Sequence, residues 1–415
     1  MSHPSDFPSR AVTRPQGSAL EVFLAFLKLG LTSFGGPVAH LGYFRDEFVV
    51  RRQWLDEKGY SDLVALCQFL PGPASSQVGM ALGLLRAGLP GALAAWLGFT
   101  LPSALLLALL GLGLASGTTV LNAGALHGLK VVAVAVVAQA VWGMARTLCM
   151  GRARVTLMVL AACAMLLWPG VWAQVGVMLL AGAVGWWLWG RKAILAPAAQ
   201  GAHEALPVRL GQRTGALLLI VFAALLVLLP LAAQWWPGRG LALFDAFYRV
   251  GALVFGGGHV MLPLLQAVVV PPGWVTADTF LAGYGAAQAV PGPLFTFAAF
   301  LGAAMAPWPG GGLGALVCLV AIFVPSFLLV AGALPFWEPL RRSAHAQAAL
   351  AGVNAAVVGL LLAALYNPVW TSAILGAADF GLALLAFVAL VFWRVPPWAV
   401  VLACTTAGAL GSALV

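Results

Sequence analysis

Two kinds of glycine- and proline-rich motif interrupt long apolar stretches of this chain, and their chemistry favours anions. Gly35-Gly36-Pro37 interrupts one stretch and Pro71-Gly72-Pro73 interrupts another. Proline lacks a backbone N–H and disfavours helix in the residue before it, so one helix ends at such a motif and another can begin after it. The free N–H groups of the new helix, with the positive end of its dipole, attract negative charge. The motifs therefore predict an anion site, whereas simple helix kinks are the alternative.

Polar side chains accompany these motifs and complete the predicted site. In the first half the candidates are His40, Ser75, Ser76 and Gln77. In the second half they are Gly256, Gly257, Gly258, His259, Gln288, Pro291, Gly292, Pro293 and Thr296. The second set has fewer donors, so the first half is expected to contribute more to recognition. The two histidines could titrate in a proton-coupled step, and a packing role is an equal alternative.

Two cations lie inside apolar segments at matching positions. Lys28 and Arg249 would each cost roughly 3 kcal/mol at the centre of a bilayer, so each is expected to have a partner or a task. Two such cations facing helix breaks would suit a divalent oxyanion. The alternative is that they reach an interface or pair locally, Lys28 with Glu21 and Arg249 with Asp245.

The matching positions belong to an internal repeat. Ser33-Phe34-Gly35-Gly36-Pro37 corresponds to Val254-Phe255-Gly256-Gly257-Gly258 at a shift of 221 residues, and the two Pro-Gly-Pro motifs correspond at a shift of 220. Leu101-Pro102-Ser103 matches Val324-Pro325-Ser326 further along. Gly128-Leu129-Lys130 then matches Gly352-Val353-Asn354, which makes Lys130 and Asn354 candidate supporting residues. Matches in the same order at a nearly constant offset indicate a duplication.

The elements that carry these motifs are membrane helices. The 415 residues include only 21 Lys and Arg and 12 Asp and Glu, hydrophobic residues make up 62%, and the mean hydropathy is +0.99. This composition excludes a soluble enzyme and predicts an all-α polytopic protein of about thirteen apolar segments in a lipid bilayer. The net charge of +9 arises mostly in short loops, so it indicates orientation and not nucleic-acid binding.

The repeat predicts a domain organisation with two oppositely oriented halves. We expect a cytoplasmic tail at 1–18, a first repeat at 19–190, a basic linker with a connecting transmembrane helix at 191–240, and a second repeat at 241–415. An odd number of segments separates equivalent positions, which inverts the second half, as in many secondary transporters. The chain is expected to begin in the cytoplasm and to end in the periplasm.

One basic loop conflicts with thirteen complete spans. Residues 44–60 contain Arg45, Arg51, Arg52 and Lys58, yet thirteen spans would place them outside. The conflict disappears if the broken segments on either side of this loop are re-entrant hairpins, which is the preferred interpretation. Thirteen full spans remain the alternative.

The remaining residues give no sign of a metal, a cofactor or a disulfide framework. The five cysteines lie singly in apolar segments, and no Cys/His spacing is typical of a metal site. We therefore expect no cofactor and no enzymatic activity.

The motifs resemble those of the chromate ion transporter family in its long two-domain form. The resemblance rests on Phe34-Gly35-Gly36-Pro37, Phe69-Leu70-Pro71-Gly72-Pro73, Gly88-Leu89-Pro90-Gly91-Ala92 and the matching second-half motifs, and it covers about residues 20–414. It implies export of chromate across the bacterial inner membrane, driven by the membrane potential or a proton gradient, with chromate resistance as the outcome and sulfate as a competitor. Leu84 departs from an aromatic residue typical of the family. A sulfate importer or exchanger, or an anion channel, stays open as an alternative, as does a homodimer.

Overall fold

A computed structural model describes residues 17–34, 36–117, 123–193, 210–236, 238–255, 258–306, 309–337, 340 and 343–413. Gly35, Gly256, Gly257 and most of the predicted tail lie outside these residues. Every regular element in the described part is helical, which confirms the all-α class. The helices are α1 (Ala19–Thr32), α2 (Gly36–Phe44), α3 (Glu57–Phe69), α4 (Ala74–Ala115), α5 (Ala123–Leu148), α6 (Arg152–Leu167), α7 (Val171–Ala193), α8 (Gln212–Trp235), α9 (Arg239–Leu253), α10 (Met261–Val269), α11 (Ala277–Ala287), α12 (Phe297–Ala304), α13 (Gly311–Ala333), α14 (Ala344–Ala364), α15 (Ala377–Val391) and α16 (Pro397–Ala413).

Six of the described helices are long and apolar enough to cross a membrane, which makes this a multi-pass membrane protein. They include the segment Gln212–Trp235, which is α8 and presents Leu217, Ile220 and Leu228 on its exposed surface, as expected for lipid contact. The helices do not follow the thirteen predicted segments one for one. The predicted segments 61–88 and 90–115 meet in α4, which continues through a kink at Ala87 and Gly88.

The glycine and proline motifs break helices where the sequence predicts. In the first half α1 ends at Thr32 before α2, and α3 ends at Phe69 before α4. In the second half α9 ends at Leu253, and a short 3-10 turn, Gly258–Val260, leads into α10. A second 3-10 turn, Leu294–Thr296, follows the other Pro-Gly-Pro motif and leads into α12. Four interrupted helix pairs result, two in each half.

The first two interrupted pairs enter and leave at the same end of the bundle, called the proximal end below. Glu21, near the start of α1, lies 3.2 Å from Arg86, which precedes the kink of α4. Arg52, between α2 and α3, lies 4.0 Å from Glu21. The guanidinium groups of Arg52 and Arg86 both stack on Trp54, at 5.7 and 5.2 Å. Each pair is therefore a hairpin that turns back at its break.

The second half begins at the opposite end, called the distal end. Arg239 starts α9 and donates a hydrogen bond to the Ala306 carbonyl, just after α12, at 3.0 Å. The later part of α4 runs antiparallel to α13: Trp96 packs on Phe323 at 5.6 Å, and Leu112 lies beside Gly311. The proximal and distal ends are therefore separated by the length of these two helices.

Equivalent residues of the two halves exchange equivalent contacts. The Gly72 N–H donates to the Val254 carbonyl at 2.6 Å, and the Gly292 N–H donates to the Ser33 carbonyl at 2.9 Å. Similarly, α5 packs on α15 and α16, whereas α14 packs on α6 and α7. Small residues permit the close approach of these helices. Each half is thus completed by elements of the other.

Candidate anion-binding cavity

A cavity of about 710 Å³ lies where the four helix breaks meet. Its wall includes residues from all four breaks: Gly36, Pro37, Gly72, Ala74, His259, Gln288, Gly292 and Leu294. A second wall is α5, from Val136 to Leu148. Helix α4 ends at the distal end, and α5, which is about 39 Å long, runs from there back across the bundle. The Leu148 end of this wall is therefore closer to the proximal end. The cavity therefore extends from the breaks towards the proximal end.

Seven predicted site residues line this one cavity although they are far apart in sequence. They are Gly36, Pro37, Gly72, His259, Gln288, Gly292 and Asn354. The structure therefore brings residues of both halves together at one cavity.

Three further polar residues line the cavity and were not among the predicted site residues: Gln68, Gln139 and Thr147. Gln68 is the repeat equivalent of Gln288 at the same shift of 220, so the duplication could have identified it. Gln139, Gly143 and Thr147 recur every four residues along one face of α5, and this stripe was the available signal.

Other predicted donors stabilise the breaks and are absent from the cavity wall as described. The His40 ring lies 3.4 Å from the Ser75 hydroxyl, and both side chains are buried. Gln77 donates to the Pro71 carbonyl at 2.6 Å, which closes the first Pro-Gly-Pro turn. The Thr296 hydroxyl donates to a carbonyl of the second Pro-Gly-Pro motif, that of Pro293, at 2.7 Å, and the Ser76 side chain is buried beside the first.

The predicted cations do not line the cavity. Lys28 is exposed on α1. Arg249 pairs with the buried carboxylate of Asp245 at 2.6 Å, the local pairing that was its alternative. Lys130 pairs with Asp278 at 3.0 Å. Lys28 and Arg249 are thus absent from the described wall of the cavity where the helix breaks meet.

The described wall of the cavity contains no Asp, Glu, Lys or Arg. Its polar groups are side-chain amides, the Thr147 hydroxyl, His259 and backbone at the breaks. At the start of α4, the backbone N–H of Gln77 donates the first intrahelical hydrogen bond, to the Pro73 carbonyl. The backbone N–H groups of the residues before Gln77 therefore have no partner within the helix. Ala74, the first residue of α4, lies in the wall. Such groups can hold an anion through neutral donors.

Charged groups cluster instead at the proximal surface. The Glu47 carboxylate lies 2.6 Å from Arg51 and 2.8 Å from Arg52. Burial acts to raise the pKa of Glu47, but the Arg52 hydrogen bond and the charges of both arginines outweigh it and lower the pKa below its ordinary range. No group of three or more potential metal ligands occurs within the described residues.

Interrupted membrane helices whose breaks converge on a cavity with several polar side chains are typical of multi-pass membrane transporters. The comparison with known families is specific. The chain belongs to the chromate transporter family, because the family's sequence model matches residues 20–186 and 241–409.

Individual relatives agree with this family. The chromate transport protein of Pseudomonas aeruginosa is 31% identical over 385 residues, which cover 87% of this chain and 83% of that protein. The probable chromate transport protein of Synechococcus elongatus is 29% identical over 364 residues, 86% of each chain. The chromate transport protein of Cupriavidus metallidurans is 27% identical over 359 residues, 85% of this chain and 83% of that protein. No solved structure matches significantly.

Proposed function

We propose that this protein is a secondary active transporter that exports chromate across the bacterial inner membrane and so confers chromate resistance. The observation that carries the proposal is the cavity in which the helix breaks of both halves meet. Broken helices that present N–H groups near the middle of a membrane are how secondary transporters hold anionic substrates. A divalent tetrahedral oxyanion suits a cavity that offers donors from several sides.

The proposed topology has two inverted repeats with re-entrant hairpins, the proximal end in the cytoplasm and the distal end in the periplasm. The antiparallel course of α4 and α13, whose Pro-Ser motifs correspond, supports the inversion. The basic loop with Arg51 and Arg52 is proximal, where the positive-inside rule favours it. Gly408, near the end of α16, packs on Gly124 at the distal start of α5, which supports a periplasmic C-terminus. In this orientation the cavity would extend from the helix breaks towards the cytoplasm, the side from which an exported anion is loaded.

Neutral donors replace the two cations as the proposed recognition elements. Lys28 and Arg249 lie outside the described wall of the cavity, and Arg249 already neutralises Asp245. Sulfate has the same charge and shape as chromate, so a sulfate importer or exchanger, or an anion channel, is the second candidate function.

Chromate uptake into everted inner-membrane vesicles tests the proposal. Export appears as uptake in these vesicles, and it should require energisation, be lost when the proton and potential gradients are both collapsed, and be inhibited by sulfate. Dissipating each gradient separately identifies the driving force. Energy-independent flux would favour the channel, and accumulation only in right-side-out vesicles would favour import. Vesicles that take up no chromate in either orientation would contradict transport of chromate itself.

A further inference from the structure

We infer that the cavity selects fully deprotonated tetrahedral oxyanions and discriminates against those that keep a proton at neutral pH, such as phosphate and arsenate. This inference rests on the proposed function and names the substrate class of the same site.

Apart from histidine, the polar side chains in the described cavity wall are neutral. The polar side chains are Gln68, Gln139, Thr147, Gln288 and Asn354, together with His259. The described wall has no carboxylate, which is the strong acceptor for an O–H group. A ligand at the breaks therefore meets side-chain N–H and O–H donors but no carboxylate.

One of these side chains has an unpaired donor. The Gln288 side-chain nitrogen is buried and has no hydrogen-bond partner within the described part of the chain. A buried amide N–H is unfavourable unless something accepts its hydrogen. Gln288 lines the cavity, so an anion bound there can supply the acceptor.

His259 contacts a buried tyrosine. Its Nδ1 lies 2.8 Å from the hydroxyl of Tyr284, a fully buried residue. When the Tyr284 hydroxyl donates to Nδ1, a neutral imidazole carries its hydrogen on Nε2. In that tautomer Tyr284 is a positioning residue that makes His259 a second N–H donor.

A ligand that carries a proton fits these donors less well than one that carries none. Chromate, sulfate and selenate only accept hydrogen bonds, so every donor in the wall can be satisfied. Hydrogen phosphate and hydrogen arsenate have one O–H that needs an acceptor. A glutamine can supply its carbonyl oxygen only by turning its N–H groups away from the anion, so each acceptor gained removes a donor. Hydrogen-bonding sites reject ligands with the wrong pattern for this reason.

Selenate and arsenate are the most informative pair of anions for testing this discrimination. They have nearly the same size and shape, and at mildly alkaline pH both are dianions, so they differ chiefly by one proton. We propose to measure inhibition of chromate uptake into everted vesicles by selenate and by arsenate, with sulfate and phosphate as a second pair. Arsenate should inhibit about tenfold more weakly than selenate, the ratio for one unsatisfied hydrogen-bonding group.

Variants connect the selectivity to the cavity. Gln288→Glu supplies an acceptor carboxylate, so it should weaken chromate uptake and narrow the difference between selenate and arsenate. Gln68→Glu makes the same change at the repeat-equivalent position and is decisive if the first variant does not fold. Gln212→Glu is the matched control, because Gln212 is exposed at the start of α8 and is absent from the cavity wall as described. It should leave uptake and selectivity unchanged.

The outcomes separate this inference from the proposed function. Equal inhibition by arsenate and selenate in a protein that transports chromate would overturn the inference alone. An unaltered ratio in folded Gln288→Glu and Gln68→Glu variants would also overturn it. Absence of chromate uptake by the unaltered protein would overturn the proposed function and the inference together.

Discussion

Replacing Gly72 with alanine is expected to destabilise the protein and abolish transport, because two costs fall on one residue. Gly72 has φ +124°, a conformation that residues with a side chain rarely adopt. A Cβ there would lie 2.5 Å from Gln77 Nε2 and 2.8 Å from Ser326 Oγ. The backbone costs about 1–2 kcal/mol and the crowding about 1–3 kcal/mol, so the free energy of unfolding should fall by about 2–5 kcal/mol.

Two other glycines separate these costs. Gly117 has φ +67° but nothing within 4 Å of a Cβ, so Gly117→Ala measures the backbone cost alone, about 1–2 kcal/mol. Gly42, in α2, has neither constraint, so Gly42→Ala should be neutral or slightly stabilising. Gly292, the repeat equivalent of Gly72, has φ +101° with Ser103 Oγ at 2.9 Å, and its alanine variant should resemble Gly72→Ala.

The assay is the apparent melting temperature of the purified protein in detergent, with chromate uptake measured in parallel. We expect Gly72→Ala and Gly292→Ala to have the lowest melting temperatures and Gly117→Ala an intermediate one. Gly42→Ala should have the melting temperature of the unaltered protein. Adding Ser326→Ala to Gly72→Ala should recover part of the loss. If Gly72→Ala melts together with Gly117→Ala, the close packing of the break against the other half has no energetic effect and the reasoning fails.

Three further predictions concern charged groups. Arg249→Gln should lower the free energy of unfolding by about 3 kcal/mol, because it leaves the Asp245 carboxylate buried and unpaired. The Arg249→Gln, Asp245→Asn double variant should fold and keep chromate uptake. Loss of uptake in that folded double variant would instead assign Arg249 to the anion site. The lowered pKa of Glu47 means that its ion pairs stabilise the protein above the ordinary value of 4.5 and lose this effect as the pH falls through the lowered value. The melting temperature should therefore approach that of Glu47→Gln on acidification, and parallel curves for the two proteins would refute this. A cysteine replacing Arg51, whose side chain is 62% exposed, should react with impermeant reagents only from the cytoplasm, and periplasmic labelling would exclude the re-entrant hairpins.

Features that depend on local backbone chemistry were predictable from the sequence. A Pro-Gly-Pro motif breaks a helix wherever it lies, so the break before α4 is predictable from the amino-acid sequence alone. The repeat then indicated that Gln288 has a counterpart, although Gln68 was not selected. The helix break acts within a few residues and the repeat is a comparison of sequence with sequence, so neither needs knowledge of tertiary packing.

Features that depend on helix rotation were not predictable. The sequence indicates that Lys28 lies within α1, but only packing decides which face of α1 contacts α4 and which is exposed. The same limit hid Gln139 and Thr147, whose stripe on α5 has meaning only when the breaks of both halves are placed against it. Arg249 differs, because Asp245 one turn earlier already provided a local partner.

The separation of charge from the cavity has a consequence for transport. A dianion held between two buried cations would be bound tightly and released slowly, whereas a transported ion must bind strongly enough to enter and weakly enough to leave. Neutral donors such as Gln68 and Gln288 can replace part of the hydration shell without a fixed opposite charge. The arginines at the proximal surface can still attract anions over a Debye length, about 8–10 Å at physiological ionic strength, while their partners Glu21 and Glu47 limit how firmly an anion is retained there. In the proposed transporter, attraction at the entrance and recognition at the helix breaks are therefore performed by different residues, so substitutions at the two places should affect the rate of loading and the choice of anion independently.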